Sequence, residues 1–552
     1  VKLEKNDIII ITLISVIFFS VTSWNLGLKR TPITYWSTKK ATVSITFDTV
    51  RFVNSLYFLV SSEDSIRVNI SAWESGEWIN LGLLNNSGYY QWFNFEVKTT
   101  TDKIELNFDN NAGDVYEIIA IDELNNRINF TQIQSPNSND QNISNLIDEQ
   151  KYFENPPTFQ SETYFDEIYY VRTAQEYLSL REPTEWTHPP LGKLIIAAGI
   201  QLFSFSPFGW RLPGVIFSTL MIPIIYIFGL MMFKTRFAAT LSAYLIAFDF
   251  MHFTMGRIST IDTYLVYFML VSSFFFYLNF ETMHMKSKPN FKFIFLGILF
   301  FYLAFSVKWT AVYGLIGQLI LILSAAFTGS LGSMKDLITT FKSFLKPLLV
   351  ILSFLLVGSS VYFATFIPYT MIGHDLKDIY NVQWAMFSYH SELKATHPFS
   401  SDWWSWPAIM KPLWLYNKQL PLGEVSTITA MGNPMIWWFG LPIILLALWR
   451  GIKNKEWSLL FIGVIYMFQW FPYAFISRSL FIYHYYPNVP ILALATAGIM
   501  SRSWTNPNEK KYVITFIVAV AAFFVIFYPV ISGFPIPIWY KEHLRLFGGW
   551  VF

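Results

Sequence analysis

His188-Pro189-Pro190-Leu191-Gly192-Lys193-Leu194-Ile195-Ile196-Ala197-Ala198-Gly199-Ile200-Gln201-Leu202-Phe203-Ser204-Phe205 contains one apolar run, and whether that run crosses a bilayer sets the side on which every later segment lies. The surrounding chain leaves no doubt that a bilayer is involved. Of 552 residues, 53% are hydrophobic, 19% aromatic and 14% charged, against roughly 25% charged in soluble domains. Mean hydropathy is +0.38, more apolar surface than a soluble globule buries, so a soluble cytosolic enzyme is excluded and most of the mass belongs in lipid. Eleven spans fit, at 8–24, 210–233, 237–253, 261–281, 291–307, 309–328, 347–368, 434–450, 457–476, 479–500 and 512–533, each near the roughly 20 residues a crossing helix needs.

Positive charge decides the remaining run. If Leu191 to Phe205 stays on one side, Lys2, Lys5, Lys234, Arg236, Lys286, Lys288, Lys292, Lys335, Lys342, Lys346, Arg450, Lys453, Lys455, Arg502, Lys510 and Lys511 all fall on the cytoplasmic face, as the inside excess of Lys and Arg requires. If it crosses, all of them after Lys5 face outward. The run is therefore expected to lie on, or dip into, the outer leaflet. The amino terminus is then inside, the carboxyl terminus outside, and Ile8 to Trp24, lacking a cleavage signal before Lys29 and Arg30, reads as a retained anchor.

A formal charge of +2 argues against nucleic acid as a partner. Cys is absent, so disulfides, thiolate metal sites and cysteine nucleophiles are excluded together. Two hydrophilic regions remain, 29–190 and 369–433, both outside in this topology. The first opens with alternating runs (Thr42–Phe47, Ile66–Ile70, Lys103–Phe108, Val115–Ile121) separated by Asn, Gly and Ser, the pattern of a β-sandwich over 35–134. An Asn- and Ser-rich stretch, Ser135 to Asn145, follows as a linker.

After it come Tyr164-Phe165-Asp166-Glu167 and Glu185-Trp186-Thr187-His188, acid and base beside the bilayer. Adjacent carboxylates flanked by aromatics and partly desolvated suit a general base; acidic residues in a first helical turn suit capping equally. Arg211, Arg257, Lys308 and Arg478 stand at outer ends of spans, against the inside bias. Converging there they fit a lipid-linked phosphate, whereas singly each fits snorkelling to headgroups. Asp262, five residues after Arg257, is expected to pair with it. His390, His397, Trp403, Trp404, Trp406 and His484 fit metal binding, sugar stacking or an interfacial aromatic belt. Asp109 to Asp114 faintly matches a calcium loop without its distal Glu and reads as a turn. Asn69, Asn85, Asn129 and Asn142 each begin an Asn-x-Ser/Thr triplet.

Asp166-Glu167, His188 to Lys193, Arg211-Leu212-Pro213, Gly256-Arg257-Ile258 with Asp262, Ser306-Val307-Lys308-Trp309, His397-Pro398 with Trp403 to Pro407, and Tyr483-His484-Tyr485 occur in this order. As an ordered set they resemble the protein O-mannosyltransferases, over Tyr164 to the carboxyl terminus and the first span. The resemblance implies a GT-C type membrane fold, in which mannose passes from a polyprenyl (dolichyl-type) phosphate to Ser or Thr of a protein on the extracytoplasmic face. It implies Asp166 as the catalytic acidic residue with Glu167 in support. Arg211, Arg257, Lys308, His188, Lys193, Arg478, His484 and Trp309 are implied at the donor, and His397, Trp403, Trp404 and Trp406 near acceptor or sugar. No metal or other cofactor is implied.

The domains expected are a first span (1–30), the sandwich (35–134), a linker (135–163), a catalytic loop with membrane-surface helices (164–209), a transmembrane core (210–368), a loop (369–433) and carboxyl-terminal spans (434–552). That loop is too short for the β-trefoil of eukaryotic members, which points to a prokaryotic form in the plasma membrane. The family pattern does not require the sandwich, whose role is left open among acceptor binding, glycan binding and shielding. Rival readings are a related transferase with another lipid-linked sugar or a glycolipid acceptor, a lipid-linked-sugar transporter, and a glycan receptor anchored by the membrane region.

Overall fold

The computed structural model describes residues 2–109, 113–135, 142–286, 289–328, 351–394 and 396–552. The middles of the Asp109–Asp114 turn and of the linker, the first residues of the span expected from 347, and Lys288, Lys335, Lys342 and Lys346 lie outside the described residues. The chain forms two compact units: one comprises 1–24, 173–197 and 211–552, the other 25–172 and 198–210.

The first unit is helical. Its long apolar helices are α1 (Lys5–Ser23), the greater part of α4 (Pro207–Phe233), α7 (Asp262–Lys286), α13 (Pro434–Lys453), α14 (Trp457–Trp470, continued by a 3-10 turn to Phe475) and α16 (Pro507–Ser532). Between α4 and α7 come α5 (Arg236–Ala247) and α6 (Phe250–Arg257). Among the described residues six helices are long and apolar enough to cross a membrane, or seven if α5 and α6, bent by 54°, count as one. The others are shorter: α8 (Phe291–Phe305), α9 (Ala311–Thr328), apolar over Ala311–Ile322, and α10 (Ile351–Ala364).

Among the described residues, two of the expected spans break in ways that named side chains explain. The one at 237–253 breaks at Phe248-Asp249, because the buried Asp249 side chain accepts the His252 N–H (3.1 Å) and the Trp437 indole N–H (2.8 Å) and so caps a new helix instead of continuing the old one. The one at 479–500 begins as a 3-10 segment, Ile482–Asn488, before α15 (Val489–Thr505). Pro487 and Pro490 each lack the N–H that an uninterrupted helix would use.

The expected outer loop 369–433 is largely ordered structure: α11 (Ile367–Ile372), α12 (Leu376–Glu392) and the hairpin β7 (Leu413–Leu420) with β8 (Glu424–Ala430), extended by β9 (Ile536–Pro537) just ahead of α17 (Ile538–His543).

Three helices straddle the division between units, α4 among them. Of these, α2 (Glu167–Leu178) follows the acidic pair's first member, and α3 (Leu191–Phe203) carries the run quoted at the outset. At 13 residues, α3 is about 20 Å long, short of the roughly 30 Å hydrocarbon layer.

The second unit is built on two very long strands, β2 (Ala41–Glu74) and β3 (Glu77–Phe108), with β1 (Trp36–Ser37), β4 (Gly113–Ile121), β5 (Arg127–Ile128) and β6 (Phe130–Gln134). Both long strands bend. Residues 103–108 pair with 41–46 on one side and 104–108 with 68–72 on the other, while 55–62 pair with β4 on one side and with β3 on the other. The sheet therefore folds over itself into two layers. Inward positions alternate: Ala41, Val43, Ile45 and Phe47 are buried with a less buried residue between each. They meet Phe58, Val60, Val68, Ile70, Ile104, Leu106 and Ile118 in one core, each contributing about 1.5–3 kcal/mol on full burial.

Candidate active site

In the helical unit the His-Pro-Pro-Leu-Gly-Lys motif docks on the Ser-Val-Lys-Trp motif through backbone. The Leu191 N–H donates to the Ser306 carbonyl (3.1 Å). Gly192 permits that approach, since a β-carbon there would stand 2.6 Å from Ile261 Cγ2 and 3.3 Å from Val307 Cγ1. The loop ahead of α3 is closed by charge: Lys193 Nζ donates to Glu185 Oε2 (2.6 Å) and to the carbonyls of Glu185 (2.6 Å) and His188 (2.7 Å). Lys193 has 0% exposure, and its three protons are all used, so here it holds the loop instead of a ligand. Glu185 Oε1 is 3.0 Å from His188 Nδ1. Burial opposes ionisation of Glu185, but Lys193 and His188 together outweigh it and hold its carboxyl well below the usual range.

Basic groups from distant segments collect around His188. Its ring meets that of His390 edge to face at 5.1 Å. His390 donates from Nε2 to the Thr187 carbonyl (2.8 Å), and Arg478 donates to its Nδ1 (2.7 Å). Accepting from a guanidinium and donating to a carbonyl requires a neutral imidazole. Burial, then repulsion from His188, Arg478 and Lys308, pushes His390 down to about 4. Lys308 donates to Asp262 (2.9 Å) and lies over the Tyr483 ring. His484 stacks on Tyr483, with ring centres 4.6 Å apart. Two carboxylates, Glu185 and Asp262, face this set of bases in the contacts named, and an arriving anion would relieve their mutual repulsion.

The expected Arg257–Asp262 pair is not formed. Asp262 binds Lys308, whereas the Arg257 guanidinium donates to the carbonyls of Thr22, Trp24 and Ser532. One helical turn after α6 ends, the chain turns so that Asp262 heads α7, which separates the two side chains. Arg257 thereby ties together the ends of α1 and α16. Arg211 is fully buried. The Trp309 indole donates to the Tyr362 hydroxyl (3.1 Å), which donates to Gln383 (2.5 Å); Tyr362 and Gln383 have no motif around them in the sequence.

Arg478 also lines a cavity of about 850 Å³ with Trp403, Trp404, Asp402, Lys394 and Lys411. Trp406 is buried beneath and donates to Ser401 (3.0 Å). His397 accepts the Phe399 N–H and packs against Phe481. Among the described residues no group of three His, Asp or Glu is placed to hold a metal ion.

The acidic pair belongs to the other unit. Asp166, half-buried, immediately precedes α2, and its carbonyl accepts the N–H groups of Tyr169 and Tyr170. Glu167 is buried and its carboxylate accepts the Tyr164 N–H (3.3 Å), bracing the turn that presents Asp166.

Two family models match. One, described as dolichyl-phosphate-mannose-protein mannosyltransferase, covers residues 187–362, and one for the C-terminal four-transmembrane region of protein-O-mannosyltransferase covers 375–550. The polyprenol-phosphate-mannose–protein mannosyltransferase of Mycolicibacterium smegmatis is 24% identical over 448 residues, spanning 69% of this chain and 86% of that protein. Its counterpart in Corynebacterium glutamicum is 24% identical over 426 residues, spanning 66% and 81%. The structure of the S. cerevisiae protein O-mannosyltransferase Pmt1–Pmt2 complex bound to the sugar donor superposes with a TM-score of 0.59 at 13% identity, over 70% of this chain and 89% of that one. That likeness is of fold, the GT-C type. With two models of one family covering most of the helical unit, this multi-pass membrane chain belongs to the protein O-mannosyltransferase family of glycosyltransferases.

Proposed function

We propose that this chain moves mannose from a polyprenyl phosphate to Ser or Thr hydroxyls of proteins, with inversion at the anomeric carbon, on the extracytoplasmic face of a prokaryotic plasma membrane. The observation that carries the reading is the gathering of Lys308, Arg478, His188 and His390 in one charged cluster next to α3, a helix too short to cross. Such a cluster suits the phosphate of a donor embedded in the outer leaflet.

Asp166 accepts the proton of the acceptor hydroxyl as its oxygen attacks the anomeric carbon, and the bond to the phosphate oxygen breaks with its electron pair leaving on phosphate. Phosphate is already a good leaving group and needs no proton. The cluster stabilises the charge that grows on it, with donors fixed before the reaction begins. His390, neutral in the free enzyme, takes up a proton as the departing phosphate gains its second negative charge. Arg211 completes the set, and Arg257 shapes it by holding α1 against α16. The cavity lined by Trp403, Trp404 and Arg478 offers stacking surfaces and polar edges suited to acceptor or sugar.

Incubating the purified protein in lipid with labelled polyprenyl-phosphate-mannose and a Ser/Thr peptide tests this. Label on the peptide hydroxyl is the expected outcome. Label passed only to lipid, or left on the carrier, overturns it.

A further inference from the structure

The segment that leads to Asp166 lies against an edge of the β-sandwich. In the order β1-β4-β2-β3 the stretch of β3 from Tyr89 to Thr101 pairs on one side with β2; among the described residues no strand pairs with its other side. An edge of this kind leaves N–H and C=O groups without ladder partners. Here the segment leading to Asp166 satisfies them. The Thr163 N–H donates to the Tyr90 carbonyl (3.1 Å) and its hydroxyl to the Tyr89 carbonyl (2.5 Å). The Gln91 amide donates to the Thr163 carbonyl (3.2 Å), and the Trp92 N–H donates to the Glu162 carboxylate (2.9 Å). Glu162 and Thr163 are both buried.

A bulge aims this edge. Val60 pairs with Gln91 and Ser61 with Tyr89, so Tyr90 is the extra residue. Its φ of 53° is in the left-handed region, rare for an aromatic residue. The Ser61 hydroxyl accepts its N–H (2.9 Å), and its own hydroxyl donates to the Pro32 carbonyl (2.5 Å). The fully buried ring packs edge-on against Phe205 and Trp210, and Trp210 is the residue before Arg211. Two residues beyond Thr163 the chain turns sharply: Phe165 has φ 51°, a second left-handed non-glycine, directly before Asp166. Conformations of this kind persist only where their surroundings over-determine them.

We infer that Glu162 and Thr163, clamped to the Tyr89–Trp92 edge, are positioning residues that set Asp166 for proton transfer, and that the sandwich is part of the catalytic scaffold. This rests on the assignment of Asp166 as the base. Deletion of residues 35–134 is then expected to abolish turnover, because it removes the edge itself.

The test uses the full chain in lipid, with turnover and donor KM measured for Glu162→Ala/Thr163→Val, Glu162→Gln, Asp166→Asn and the sandwich-core variant Ile118→Val. The double variant is expected to lower kcat at least about tenfold with donor KM nearly unchanged, the scale on which small misplacements act. Glu162→Gln retains an acceptor for Trp92 and is expected to keep kcat, as is Ile118→Val even where it lowers the melting temperature. If the double variant turns over normally while Asp166→Asn does not, this inference fails and the proposed reaction stands. If Glu162→Gln or Ile118→Val loses as much kcat as the double variant, the positioning role is overturned. Normal turnover in Asp166→Asn sinks the reaction scheme as well.

Discussion

A proton on His390 would break what the crossing of segments has built there. The neutral ring accepts from Arg478 and donates to Thr187, and burial with neighbouring positive charge pushes it down to about 4, against about 6.5 for an unfolded histidine. Between those values the unfolded chain binds the extra proton, so stability is full above about 6.5 and falls as pH drops toward 4. Glu185 adds to the loss only at the lower end of that window, where the unfolded carboxylate begins to take up a proton that the depressed native one does not. His390→Gln, which keeps one donor and one acceptor but does not titrate, is expected to reduce the acid loss of melting temperature measured from pH 6.5 to 4. An unchanged pH profile would remove His390 as its source. Lys193→Met strands Glu185 without its ammonium partner and is expected to cost about 3–5 kcal/mol, read from denaturant or thermal unfolding. Asp166→Asn is expected to lower kcat at least about a hundredfold, the scale of general-base catalysis, while donor binding, read by titration with labelled donor, stays close to the parent's.

At the scale of elements, the approach of α3 to the Ser306–Trp309 segment depends on one missing side chain. Gly192→Ala places a methyl 2.6 Å from Ile261, and overpacking of this kind costs about 1–3 kcal/mol; loss of both melting temperature and donor affinity is the expected outcome, and a neutral result would show that the motif's docking is looser than its geometry. The elements themselves were unequally visible beforehand. The strand runs of the sandwich stood out because inward and outward positions alternate, as at Ala41 to Phe47. The break at Asp249 did not, because a buried aspartate that caps α6 has no distinctive neighbour in the chain; its partner Trp437 arrives from α13. The helix, hairpin and added strand within 369–433 and 536–537 were hidden for a related reason: β8 takes β9 as partner from more than a hundred residues away.

For the whole molecule, sidedness is the open quantity, and the absence of cysteine makes it directly measurable. Lys394→Cys and Lys455→Cys, both at exposed positions, are expected to differ: a membrane-impermeant maleimide added outside intact cells labels the first and not the second. The opposite pattern would place the active site in the cytoplasm and contradict an outer-leaflet donor. Composition and charge placement were sufficient to identify a multi-pass membrane protein, and the ordered motifs carried the resemblance to its family, since hydrophobic run length and motif order are local properties of the chain. Which ions meet was decided only in three dimensions. Asp262 lies five residues from Arg257 yet binds Lys308, and Arg478 finds His390 eighty-eight positions away, because a buried charge takes whichever partner packing brings within reach, and packing joins segments without regard to their separation in sequence.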